Sequence, residues 1–189
     1  MKKWIVLLLS LLLLLPAAAQ GETGARAVEF EDFIIHVGEN DLLQMGEAGA
    51  ASLFQLFPDY DEAAQGHPNL SASLAPAAIS VLTEEEAAFF AENVMQAGMQ
   101  SLTGEGITVA GQQLLRGDLD AETGAVTVLF TLVVDASALG VEQTMQVYMG
   151  CRYYPVGDER SLSFTVGCTT PEEAEMLFAY LDQNLVIKK

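Results

Sequence analysis

The sequence predicts an α+β domain, a central twisted antiparallel sheet covered by helices. Three observations predict it. Short runs of alternating apolar residues stand on either side of one long helical stretch at 83–104. Four such runs then follow one another as a meander between 107 and 168. A second, separately capped helix begins after Thr170. Strands on both sides of a helix, with short turns between the later ones, fit an antiparallel sheet better than alternating βαβ units.

The elements follow in order. Val28–Val37 (VEFEDFIIHV) reads as a first strand with Phe33, Ile35 and Val37 on one face, followed by a turn at Gly38-Glu39-Asn40-Asp41. Residues 42–50 have no clear period, and 51–57 alternates like a strand. An acidic loop then runs from Pro58 through Gly66-His67-Pro68, and Asn69–Leu74 gives a short strand before Pro76. Thr83 and Glu86 form a capping box, with Glu84 and Glu85 favoured by the helix dipole. Ala87, Phe90, Val94, Gly98 and Leu102 recur at helical spacing and should face the sheet, and Gly104 and Gly106 end the helix. The meander strands are Ile107–Arg116, Val126–Asp135, Val141–Tyr154 and Ser161–Cys168. Thr170 caps the last helix, with Pro171 at its first position, Glu173 in a second capping box, and Ala174, Leu177, Phe178 and Leu181 as its buried stripe. Leu185–Ile187 closes the chain as a strand.

Residues 1–19 are read as an export signal and not as part of the fold. Lys2 and Lys3 are the basic start, Trp4–Leu15 the apolar stretch, Pro16 a helix breaker, and Ala17-Ala18-Ala19 the small residues before a cut at Gln20. The apolar stretch is shorter than the roughly 20 residues that cross a bilayer, so no permanent membrane anchor is expected. No Cys follows the cut, which excludes lipid attachment there. The expected organisation is a signal peptide at 1–19, a loose leader at 20–27 and a single domain at 28–189, secreted or otherwise outside the cytoplasm.

The chain has 189 residues, with 8 Lys and Arg against 26 Asp and Glu, for a formal charge of −18. Loss of Lys2 and Lys3 moves this to −20 (−18 − 2). Nucleic-acid phosphates and anionic lipids need clustered cations, so no nucleic-acid partner is expected. An acidic solubilising surface explains the charge without a specific function.

Cys151 and Cys168 lie in adjacent strands. A two-residue turn at Gly157-Asp158 would set Cys151 opposite Phe164 and Cys168 opposite Val147, too far apart for a disulfide. Only a slipped register turning at Glu159-Arg160 joins them, so two buried thiols are expected. A Cys–His nucleophilic pair is disfavoured because thiols on an apolar strand face stay protonated.

Asp118-Leu119-Asp120-Ala121-Glu122 begins like a calcium loop, but Thr123 stands where Gly is required and Leu129 where the bidentate acid belongs. No Gly-x-Ser-x-Gly elbow exists, and Gly104-Glu105-Gly106 lacks the third glycine of a dinucleotide fingerprint. His36 and His67 have no partner at zinc spacing. The best remaining cluster is Asp59, Asp61, Glu62 and His67, a candidate cation site whose simpler reading is an exposed loop of solvated acids. No catalytic residue, cofactor or assigned metal ligand emerges.

The order of elements resembles the PsbP-like superfamily, which includes photosystem II extrinsic proteins, bacterial lipoproteins and a Ran-binding nuclear import factor. The resemblance is carried by FEDFIIHV, by FPDYDEAAQGHPNLSASLAP leading into TEEEAAFFAENVMQAGMQ, and by QVYMGCRYYPVGDERSLSFTVGCTTPEEAEMLFAYLDQNLVI. It spans most of 28–187 as an arrangement of elements. Members often carry a Trp after the first strand, whereas the single Trp here is Trp4, so no site residue transfers. The resemblance implies an α/β/α sandwich and an accessory or binding role. The expected function is an exported, non-catalytic accessory or binding domain for a protein or small ligand. The alternative is an extracytoplasmic cation-binding protein or metal-dependent enzyme using the loop 59–67. A redox role for the two thiols ranks below both.

Overall fold

The computed structural model describes residues 23–46, 52–64, 67–80, 82–104, 107–135 and 144–188. The proposed signal at 1–19 and the start of the expected third meander strand at 141–143 lie outside the described residues. The elements are β1 (Arg26–Glu29), β2 (Phe33–Val37), β3 (Leu42–Met45), β4 (Ser52–Phe57), β5 (Asn69–Ala75), α1 (Glu84–Gly104), β6 (Thr108–Leu119), β7 (Val126–Asp135), β8 (Thr144–Pro155), β9 (Ser161–Cys168), α2 (Pro171–Asn184) and β10 (Leu185–Ile187). Seven strands form one antiparallel sheet in the order β3-β4-β5-β9-β8-β7-β6, and β1-β2-β10 form a second, smaller one. The predicted α+β class, helices on a large antiparallel sheet, is the observed architecture.

The single strand expected over Val28–Val37 is instead a hairpin. Val28 and Phe30 have one parity, Phe33, Ile35 and Val37 the other, so a continuous strand would bury only one set. The turn at Phe30–Phe33, closed by a hydrogen bond from the Phe30 amide to the Phe33 carbonyl (2.9 Å), brings both sets to the core. Arg26 and Ala27, expected in the loose leader, are the first residues of β1 and pair with Val37 and His36. β10 adds to the other side of β2, and Lys188 ties down the hairpin through an ion pair with Glu29 (2.7 Å). β3, unseen in the sequence, pairs with β4 from Leu42↔Phe57 to Met45↔Phe54.

Alternation along the large sheet creates two cores. Val126, Val128, Phe130, Leu132 and Val134 of β7 face α1, which buries Ala87, Ala91, Met95 and Leu102. The buried stripe is thus turned slightly from the expected one, with Phe90 and Val94 at its half-buried margin. Small residues explain the seating: a Cβ on Gly117 of β6 would stand 2.7 Å from that of Ala91, and one on Gly98 3.0 Å from Phe130. On the opposite face Leu129, Tyr154, Leu162, Phe164, Val166 and Cys168 meet α2 through Ala174, Leu177, Phe178 and Leu181. The small sheet completes this layer with Phe33, Ile35 and Val37, and Phe33 sits edge-on to Phe164 with ring centres 6.3 Å apart.

Capping sets both helix starts. The Glu86 carboxylate accepts from the Thr83 amide and hydroxyl at 2.8 Å each, which holds its carboxyl below the usual range. In α2 the Thr170 hydroxyl accepts from the Glu173 amide (3.2 Å), while the Glu173 carboxylate reaches back to the amide (2.7 Å) and hydroxyl of Thr169. That box closes one residue upstream of expectation, where Thr169 offers two donors. Arg152 is buried under α2, paired with Asp182 (2.7 Å) and lying over the Tyr154 ring. Its fork links the sheet to the far end of the helix.

β6 is the outer strand of the large sheet. Its pairing with β7 shifts between Val109 and Gly111 and again between Leu114 and Arg116.

Gly150 leaves room for a close approach of sheet and α2: an added Cβ would sit 2.5 Å from Val166 Cγ2 and 3.0 Å from Phe178 Cζ. Gly150→Ala is expected to lower stability by about 1–3 kcal/mol through overpacking. Gly111→Ala, where the nearest atoms lie at 3.7 Å, is the control and should change little. Urea denaturation of both variants measures the difference.

Candidate functional site

The acidic loop is sewn to the turn before β3 by a residue that sequence reading placed merely in a turn. Asp41 is buried (3% exposed). One of its carboxylate oxygens accepts from the Asp59 amide (2.9 Å), the other from the Gly38 amide (2.6 Å) and the Tyr180 hydroxyl of α2. The Tyr60 amide donates to the Asn40 carbonyl (2.9 Å). These bonds hold Asp59 at φ +47, the left-handed region that Asp tolerates better than most residues. Gly38 is required, since a Cβ there would stand 2.9 Å from the Asp41 carboxylate. The Gly38-x-x-Asp41 spacing just before an apolar strand is the local sign of this anchor; the distant Tyr180 has none.

The four candidate residues have separate roles. Asp59 is exposed, and Asp61 accepts from the Ala63 amide (2.9 Å), forming its own turn. Glu62 points to solvent. His67 packs its ring 4.7 Å from Tyr60, and both sit against the buried Phe57. Among the described residues no three His, Cys, Asp or Glu side chains are grouped so as to hold a metal. His36 is exposed on the small sheet, and only its backbone carbonyl, 3.1 Å from the Tyr180 hydroxyl, meets the loop's anchor.

The aromatic group stands at one end of a second feature. On the α1 side of the large sheet, α1 covers β6 and β7. Across β3, β4, β5 and β9 the same side presents a register row of Gln44, Gln55, Ser71 and Thr165, ending at Cys151 of β8. A second row holds Ser52, Ser73 and Ser163. Gln44, Gln55, Ser71 and Thr165 are all partly exposed, and no strand position on this side carries a charge. The Gln55 amide donates to the Asn69 side-chain oxygen (3.1 Å), and Asn69 donates to the His67 carbonyl (3.0 Å). The polar rows thereby run directly into the Tyr60–His67 pair.

The thiols are apart from each other, and only Cys151 touches the polar rows, with its Sγ 3.8 Å from Thr165 Oγ1. Cys151 pairs with Thr165 and Cys168 with Tyr148, which puts them on opposite faces of the sheet. Both are free and buried. Burial pushes the Cys151 thiol up and that of Cys168 up to about 12, so neither is a nucleophile near neutral pH. The register expected for β8 and β9 is off by one residue. In place of a two-residue turn at Gly157-Asp158, the Val156 amide bonds the Arg160 carbonyl (3.1 Å) around a three-residue loop, with Gly157 at φ +73.

Two outcomes follow. Tyr180→Phe removes a donor from a buried carboxylate and should cost about 1.5–3 kcal/mol, with Asp41→Ala costing more because three donors lose their acceptor. Chemical denaturation measures both. Burial also raises the phenols of Tyr153, Tyr154 (to about 12) and Tyr180, from ordinary values of 10.0. Raised groups keep their protons in the fold while the unfolded chain loses them. Their contribution is complete below about pH 9 and is lost as pH rises through about 12. The urea midpoint should therefore fall steeply between pH 9 and pH 12, and Tyr180→Phe should flatten that fall.

No family model matches the chain, and no curated protein matches it. Among solved structures it is similar to the solution structure of cyanobacterial PsbP (CyanoP) from Synechocystis sp. PCC 6803, with a TM-score of 0.51 and 9% identity over 91% of this chain and 97% of that one. A mutant of the protein Mog1 aligns with a TM-score of 0.40 and 10% identity over 84% of this chain and 85% of that one, too distant to carry a conclusion. Two helices on a large antiparallel sheet, in the order seen here, give this chain the PsbP-like fold.

Proposed function

We propose that the chain is a non-catalytic accessory domain, exported from the cytoplasm, that holds a ligand or partner on the open polar side of its large sheet. The single observation carrying this reading is that side: a partly exposed row of Gln44, Gln55, Ser71 and Thr165 beside an aromatic pair, uncharged in a chain of net charge −18. Antiparallel sheets commonly leave one side to solvent, but a solvated side ordinarily carries charges. The buried, protonated thiols support a binding role over a nucleophilic one. The composition of Met1–Ala19 supports export, with Gln20 as the first mature residue, 20–25 as a leader and the remainder as one domain. Among the described residues no helix is long and apolar enough to cross a membrane.

The test is made on protein recovered from its native host. Mass spectrometry should find a chain beginning at Gln20 in the exported fraction. A photo-crosslinking residue at position 71 should trap an unmodified ligand or partner that one at exposed position 172 does not. An intact Met1, or chemical turnover of the trapped molecule, overturns the reading.

A further inference from the structure

We propose that the open side of the sheet binds a neutral, extended oligosaccharide, stacked on Tyr60 and His67 at one end and hydrogen-bonded by Gln55, Ser71 and Thr165 along its length. The proposal rests on the reading of this chain as a binding domain and names the ligand class.

Charge selects a neutral ligand. The strand positions of this side hold no charged residue, so an ionic ligand would be desolvated there without a counter-charge. Asp59, Asp61 and Glu62 flank the aromatic end, so an anionic sugar is repelled while the hydroxyls of a neutral one find acceptors. Hydrogen-bonding capacity selects hydroxyls. After Gln55 donates to Asn69 and Asn69 to the His67 carbonyl, Gln55 retains its oxygen and a second N–H. Mixed donors and acceptors, repeated across strands about 4.8 Å apart, suit groups that are both at once.

Shape and apolarity weigh against a protein. Protein interfaces are anchored by large apolar or aromatic side chains near their centre. The centre of these rows is Gln, Ser and Thr, and the rings stand at the ends, Tyr60 and His67 at one and Tyr153 at the other. A pyranose presents an apolar C–H face that fits such a ring, and its hydroxyls fit the rows beyond. Tyr60 and His67 are half-buried, with rings tilted by 40°, so they are held in place yet reachable.

The experiment is an amide NMR titration of residues 20–189 with cellohexaose, xylohexaose and chitohexaose, and with hexagalacturonate as the anionic comparison. At least one neutral sugar should shift amides confined to β4, β5, β9 and the Tyr60–His67 segment, and hexagalacturonate should not. Tyr60→Ala should weaken that binding about tenfold, the loss of one aromatic contact. Gln55→Ala, which leaves the aromatic group intact, should also weaken it, and the dispersion of each spectrum verifies folding. Silence from every neutral sugar at millimolar concentration, shifts elsewhere, or equal binding of hexagalacturonate overturns the proposal. If the sugars are silent while the crosslinker at position 71 traps another ligand, the binding reading stands and the sugar assignment falls. Silence in both sinks the two together.

Discussion

The register between β8 and β9 is the constraint on which the rest of the molecule depends. These strands lie in the middle of the seven, so their alignment decides which side of the sheet each neighbouring residue occupies. With Pro155 opposite Ser161, Arg152, Tyr154, Phe164 and Val166 face α2, while Cys151, Tyr153, Ser163 and Thr165 face the other way. Adding or removing one residue in the loop would turn one strand over. The guanidinium under α2 or the phenylalanine in the aromatic seam would then lose its place. The three-residue loop, with glycine in the left-handed region, therefore acts far beyond its own length.

The two sides of the sheet solve the same problem differently. Towards α2 the cover is continuous, because the small sheet extends the layer where the helix stops. Towards α1 the cover is partial. The helix sits close on β6 and β7, where Gly117 and Ala91 allow it, and the strands beyond it change from valine and leucine to serine, threonine and glutamine. A side without apolar cover must be polar to stay wetted. It need not be free of charge, and that second property sets these strands apart from an ordinary solvated surface.

Local signals in the chain were legible, and long-range ones were not. Both helices could be read because their caps, Thr83 with Glu86 and Thr170 with Pro171, are written within four residues. The meander strands were legible from alternation and from turns such as the one at Gly124. The opening hairpin was obscured because Val28–Val37 shows one apolar run in which the parity changes without a Gly or Pro. β3 was hidden because Leu42–Met45 is only four residues, and its partner determines its strand character. The β8–β9 register turned on one residue of loop length. Nothing local could pair Asp41 with Tyr180, 139 residues apart. The uncharged rows were visible only as separate polar positions until four strands were placed side by side. The loop acids formed a cluster in sequence, but their backbone bonds separate them into a turn former, a left-handed residue and a solvated side chain.

The two register shifts in β6 bear on how the molecule lives among its own copies. A twelve-residue outer strand with evenly spaced amides and carbonyls is a ready template for a neighbour to zip onto. Each shift inserts an unmatched residue, Ala110 and then Leu115, which bends the strand and interrupts the spacing. No straight run long enough for strand addition is left along β6, so crowding would bring copies of this chain together without zipping them through that edge.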